Sequence, residues 1–153
     1  AHLQRRKELG ECLAEYLAPL GDDYYAVNVR NTDYKTNDKA YFLKIAPELA
    51  GKTVLICSDD WRCREVARVI FSRSKVVSLT DIPKLPVGKT LHNCTTNIYK
   101  NNLDMLLDLL GLAGAARLFV APVDSIMMPG GFGRLAADLN RRKDILRHFS
   151  GRG

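Results

Sequence analysis

The chain has 153 residues, 46% of them hydrophobic, and a formal net charge of +6. That length suits one domain with a real core, and the composition fits a folded globular protein. No apolar run reaches the roughly 18 residues of a membrane span, and His2, Arg5, Arg6 and Lys7 lead into an amphipathic pattern instead of the apolar core of a secretory signal.

The basic excess gathers at the two ends, with Arg5, Arg6 and Lys7 at one and Arg141, Arg142, Lys143, Arg147 and Arg152 at the other. Such runs are read first as solvated helix faces. A nucleic-acid partner is not expected, because no stacking aromatics are interleaved with the basic residues and no common nucleic-acid motif is present. The four cysteines, Cys12, Cys57, Cys63 and Cys94, form no C-x-x-C pair, which argues against a zinc site. They are read as reduced thiols, Cys57 as a small core residue, and the expected setting is the cytoplasm. The chain opens on Ala1 and is expected to be a trimmed piece of something longer; a Golgi lumen is the alternative if the parent is a longer eukaryotic protein. Asn93-Cys94-Thr95 matches a glycosylation sequon, a pattern common by chance.

In chain order, residues 3–17 carry Leu9, Leu13, Tyr16 and Leu17 at helical spacing, broken near Pro19-Leu20-Gly21. Residues 24–29 form the first predicted strand. Asn37 or Asp38 can cap a helix with Tyr41, Phe42 and Ile45 on one face, which Pro47 is expected to divide. Residues 53–57 are a short, β-branched apolar run, the pattern of a strand buried on both faces. Ser58-Asp59-Asp60 can cap the next helix, whose core face is predicted to carry Val66, Val69 and Ile70. Residues 76–79 are a third strand and residues 80–93 a long loop, a length often found at functional sites. Residues 97–113 form a helix with Leu103, Leu106, Leu107 and Leu110 aligned; residues 117–121 are the fourth strand, and residues 132–142 a helix. The tail to Gly153 is expected to fray.

Strand and helix therefore alternate, which predicts an α/β fold: a Rossmann-like, doubly wound parallel sheet of about four to five strands with helices on both faces. The division expected is an N-terminal helix (residues 1–22), the main domain (residues 23–142) and a basic tail (residues 143–153). In such a fold the loops after the strands share one edge, where ligands bind.

Four stretches put chemistry on that edge. Arg30, Thr32 and Asp33 follow the first strand. A guanidinium presents a rigid fork of donors that matches phosphate oxygens, while an Arg–Asp pair that merely ties down a loop is the competing reading. Asp59, after the second strand, can hold a ribose hydroxyl or serve as a helix cap. Gly130 and Gly131, in Pro129-Gly130-Gly131-Phe132-Gly133-Arg134, let backbone approach an anion at a helix N-terminus, or simply make a tight turn. His92 and Asn93 stand in the long loop. Asp108 lies among leucines, and its i,i+4 neighbour Asp104 leaves open that both face solvent.

Taken together these stretches resemble the α-1,6-fucosyltransferases and the related nodulation fucosyltransferases. Val27-Asn28-Val29-Arg30-Asn31-Thr32-Asp33 resembles their His-x-Arg-x-Thr-Asp motif, and Ser58-Asp59-Asp60 the acidic pair after the next strand. Leu91-His92-Asn93, with Asp108 beyond it, is similar to their Leu-His-Asn segment and following helix. Gly130 to Ala136, with Arg134, is similar to their last turn and Arg-bearing helix. The resemblance covers about residues 24–139. It implies the donor-binding half of a GT-B glycosyltransferase using GDP-fucose. Arg30 would then contact the β-phosphate, Asp38 would act as base for a glycan hydroxyl, Asp108 would read the guanine, and the Gly130-Gly131 backbone would hold the pyrophosphate. Against the family pattern, Asn28 stands for histidine, Asn31 for arginine, Gly130 for serine, and Asp38 for a glutamate.

The expected activity is thus an inverting transfer of fucose from GDP-fucose to a glycan hydroxyl, with the acceptor half on a missing N-terminal domain. No metal is expected, because Arg30 and the helix dipole supply the positive field. The alternatives are a non-catalytic GDP-sugar-binding module and a degenerate interaction module that grips an acidic partner or RNA through its basic ends.

Overall fold

The computed structural model describes residues 2–31, 36–80, 98–124 and 128–144. Helix α1 (His2–Leu17) runs into a short 3-10 turn (Ala18–Leu20), and strand β1 (Tyr25–Val29) follows. Then come α2 (Asp38–Leu49), β2 (Thr53–Ser58), α3 (Trp61–Ile70), β3 (Lys75–Val77), α4 (Ile98–Gly114), β4 (Arg117–Val120) and α5 (Gly131–Arg141).

The four strands form one parallel sheet in the order β3-β2-β1-β4. Tyr25 lies opposite Val54 on one side and Arg117 on the other, and Thr53 opposite Lys75. The two-residue period of a strand divides the core. Val27, Val29, Val54 and Ile56 face α2 and α3, packing with Phe42, Ile45, Leu49, Ala67 and Phe71. Ala26, Leu55 and Cys57 face the opposite way, toward Leu20, Leu112, Ala115 and Ala136. Helices therefore cover both faces, and the doubly wound parallel architecture expected from the alternating pattern is the one observed, with four strands among the described residues.

Three helix expectations are corrected. In α3 the buried positions are Cys63 and Ala67, while Val69 is 77% exposed. The small residues let the helix backbone lie close to the sheet, so the larger valine is turned outward. In α4 Leu107 is buried but Leu106 is 38% exposed, since Gly111, Leu112 and Ala113 take the inner face of the last turns. Pro47 does not divide α2, which continues to Leu49. It sits in the last turn, and the carbonyl it leaves without a partner belongs to exposed Leu43.

The ends of α4 and α5 are clamped together. Asn140 Nδ2 donates to the carbonyls of Ala113 and Ala115, both at 2.9 Å, and Lys143 Nζ donates to Ala115 O at 2.7 Å. These are carbonyls at and just beyond the end of α4, where cations and donors are favoured. Arg141 pairs with Asp138. Part of the C-terminal basic run is thus engaged within the fold. No described helix is long and apolar enough to cross a membrane.

Candidate functional site at the C-terminal edge of the sheet

The chain moves from β1 outward to β2 and β3 with its helices on one face, then returns past β1 to β4 with helices on the other. The reversal leaves a crevice between the C-terminal ends of β1 and β4, the place where open α/β sheets bind ligands. Arg30 leaves the end of β1, and Gly130 caps α5 beyond β4. The two meet: a side chain added at Gly130 would stand 3.7 Å from Arg30 Cδ. Gly130 has extended backbone and provides no side-chain cap, so the N–H groups of the first turn of α5 are not served by a capping side chain. Gly131 begins the helix, and Arg134 N donates back to Gly130 O at 2.9 Å. The Arg134 side chain is exposed.

Gly133 sets how close α5 comes to the sheet. A Cβ there would fall 2.5 Å from Val120 Cγ1 and 3.1 Å from Asn28 Nδ2. The glycine lets the first turn rest on β1 and β4, which brings its N-terminus over the crevice.

A lattice of hydrogen bonds centred on Asn31 ties the β1 and β2 loops. Asn31 N donates to Asp59 Oδ1 at 2.8 Å, and its amide reaches Asp60 Oδ2 at 3.4 Å and Cys63 Sγ at 3.5 Å. Its own Oδ1 accepts from Thr36 N at 3.0 Å, while Thr36 Oγ1 donates to Arg30 O at 2.7 Å. Across the crevice, Asn37 N donates to Asp124 Oδ1 at 3.1 Å, joining the loop after β1 to the loop after β4. Arg30 O and Asn31 are therefore held by side chains from the loop after β1 and from the β2–α3 segment, which fixes the backbone that carries the guanidinium.

The acidic residues divide by task. Asp60, not Asp59, caps α3: Asp60 Oδ1 accepts from Arg62 N and from Arg62 Nε, each at 3.0 Å. Asp59 is left half-buried beside Asn31 at the end of β2. Asp38 opens α2, capped by Asn37 Oδ1 on Ala40 N at 3.2 Å. Asp38 Oδ2 accepts the Cys63 thiol at 3.0 Å and Asp38 Oδ1 accepts from Lys39 N at 2.8 Å. Burial, then the bond to Asp38, pushes the Cys63 thiol far up, so it stays a donor. Asp108 stands on α4 over the ends of β2 and β3, where Thr80 Oγ1 lies 3.1 Å from both its oxygens. Burial pushes its pKa up to about 6; Asp104 adds to this, while Thr80, Cys57 and Arg64 pull the other way.

The fold thus brings Arg30, Gly130 and Gly131 together, sets Asp59 one strand over, and places Asp108 beyond it. Thr32, Asp33, His92 and Asn93 lie outside the described residues. Among the described residues no group of three His, Cys, Asp or Glu side chains is arranged to hold a metal ion. Sequence reasoning missed Gly133, Asn31, Thr36, Cys63 and Asp124. The spaced glycines of Gly130-Gly131-Phe132-Gly133 were a signal for the first; the others act through loop contacts that no local pattern announces. Comparison with known protein families, curated proteins and solved structures finds no match for the chain. The architecture itself is a small Rossmann-like parallel sheet consistent with a nucleotide-sugar-binding domain and with one half of a GT-B glycosyltransferase.

Proposed function

We propose that the domain binds the donor of an inverting fucosyl transfer, GDP-fucose, along the C-terminal edge of its sheet. The observation that carries this reading is the approach of Arg30 to the uncapped, glycine-led start of α5 over the β1–β4 crevice. A diphosphate there would meet a guanidinium and helix N–H groups together, and both stabilise the charge that grows on a departing diphosphate. The order along the edge also fits. Arg30 and Gly130–Gly131 would hold the diphosphate, Asp59 at the end of β2 the ribose, and Asp108 over β2 and β3 the guanine. Thr32, Asp33, His92, Asn93 and Arg134 complete the donor contacts in this reading, and Asp38 takes the proton from a glycan hydroxyl presented by a second domain.

A second reading is favoured by one specific observation: both oxygens of Asp38 already have partners, the Cys63 thiol and Lys39 N. A carboxylate so engaged suits a module that binds a GDP-sugar without transferring it. Calorimetric titration with GDP and GDP-fucose tests the shared claim. Wild type is expected to bind both, and Arg30→Ala to bind about ten- to a hundredfold more weakly, the worth of a hydrogen bond to a charged group. Absence of binding, or equal binding by Arg30→Ala, overturns both readings. Release of fucose that falls with Asp38→Asn selects transfer over binding alone.

A further inference from the structure

We infer that Asp124 is the carboxylate that takes the proton from the acceptor hydroxyl in the proposed transfer, in place of Asp38. The inference rests on the donor-site reading above and relocates one of its roles. It starts from the way two carboxylates flank the start of α2. Asp38 is half-buried, and its carboxylate is turned to the β2 side of β1: Oδ2 accepts the thiol of Cys63, a fully buried residue of α3, at 3.0 Å, and Oδ1 accepts from Lys39 N at 2.8 Å. The crevice lies on the other flank of β1, toward β4.

Asp124 stands on that flank. Its neighbour Val123 is buried and bridged to Met128, and Val123 Cγ2 would lie 3.9 Å from a side chain begun at Gly130. Asp124 therefore leaves the wall of the crevice beside the glycine turn. Its Oδ1 accepts from Asn37 N at 3.1 Å, and the residue before Asn37, Thr36, donates to Arg30 O at 2.7 Å. The aspartate thus spans the mouth of the crevice between the loops that carry Arg30 and Gly130. Asp124 is exposed, and the bond through Oδ1 is its side chain's one hydrogen bond among the described residues. One oxygen anchored by a backbone N–H fixes the direction of the carboxylate, and the other faces solvent where an acceptor would arrive. In the step, the acceptor O–H passes its proton to Asp124 Oδ2 as the acceptor oxygen bonds to the anomeric carbon of fucose. The bond from that carbon to the diphosphate breaks, and its electron pair leaves on GDP.

The test uses wild type, Asp124→Asn and Asp38→Asn, each melted without ligand, titrated with GDP, and assayed for release of fucose from GDP-fucose with water as the acceptor. Asparagine keeps an oxygen for Asn37 N, so Asp124→Asn is expected to melt with wild type and to bind GDP within about twofold of it, while releasing fucose about a hundredfold or more slowly, the worth of a general base. Asp38→Asn is expected to release fucose at close to the wild-type rate. Release that falls with Asp38→Asn and not with Asp124→Asn overturns the inference and leaves the donor-site reading standing. Wild type that binds GDP and releases no fucose does the same, in favour of the binding module; wild type that binds no GDP overturns the donor-site reading and the inference with it. If Asp124→Asn melts low, Asp124→Glu and Asp124→Gln replace it as a pair of equal size: far faster release by the glutamate variant supports the inference, and equal release overturns it.

Discussion

Asp108 keeps a carboxylate where water is scarce, and this gives it a signature in stability. Burial raises its pKa from 3.8 to about 6 in the folded chain. Between those values the folded state holds a proton that the unfolded state has released, so stability falls as pH rises through this window and the cost is fully present above it. An asparagine at this position would carry no such cost, and Thr80 Oγ1 could still donate to its carbonyl oxygen. Asp108→Asn is therefore expected to gain stability relative to wild type as pH rises from 4 to 7, by about 1–3 kcal/mol at the upper end. Urea unfolding of both proteins across that range measures the difference, and a difference independent of pH contradicts it. At this scale the sequence was readable wherever a residue was out of keeping with its surroundings. Arg30 stood out because a charge followed an apolar strand.

Among the elements, α5 is the one whose placement decides the site. Its first turn can rest on β1 and β4 only because position 133 has no side chain; a Cβ there would lie 2.5 Å from Val120 Cγ1. Gly133→Ala must push the helix outward and is expected to cost about 1–3 kcal/mol, as overpacked cores do. It should also weaken pyrophosphate binding, since the helix start leaves the crevice. Gly130→Ala is the control: its φ is −66°, and the nearest foreign atom would be Arg30 Cδ at 3.7 Å, an ordinary contact. Thermal melts should therefore show a loss for Gly133→Ala and little change for Gly130→Ala; the reverse order would mean that the helix is positioned otherwise. Helix existence was legible from spacing, and the inward face of α3 only in part. Val66 and Ile70 pack against the core at its margin as read, but Val69 is turned out, and close approach to the sheet placed the small Cys63 and Ala67 at the centre of that face.

For the whole molecule, the sheet is the stable unit and its centre is β1 with β2. Both are buried on two faces, with Val27, Val54 and Leu55 fully inaccessible, whereas β3 is a short edge strand whose Lys75 is exposed. Native-state hydrogen exchange is expected to show the amides of Val27 and Val54–Ile56 opening only with global unfolding, and those of Lys75–Val77 opening at lower free energy. Equal protection across the sheet would contradict this hierarchy. The alternation of strand and helix made this architecture legible, because a parallel sheet demands a crossover after every strand. The bonds among Asn31, Asp59, Cys63 and Asp38 were not legible. They join residues far apart in sequence, and only the crowding of loops on one rim brings them within reach.

The pairing of Tyr25 with Arg117 has a bearing on biosynthesis. One flank of the first β-segment stays bare until the last one has left the ribosome, so a nascent chain halted before residue 117 would present an open apolar margin to its neighbours. Closure of that margin is the same event that creates the Arg30–Gly130 crevice, and an incompletely made chain would be at once sticky and without the proposed anion site.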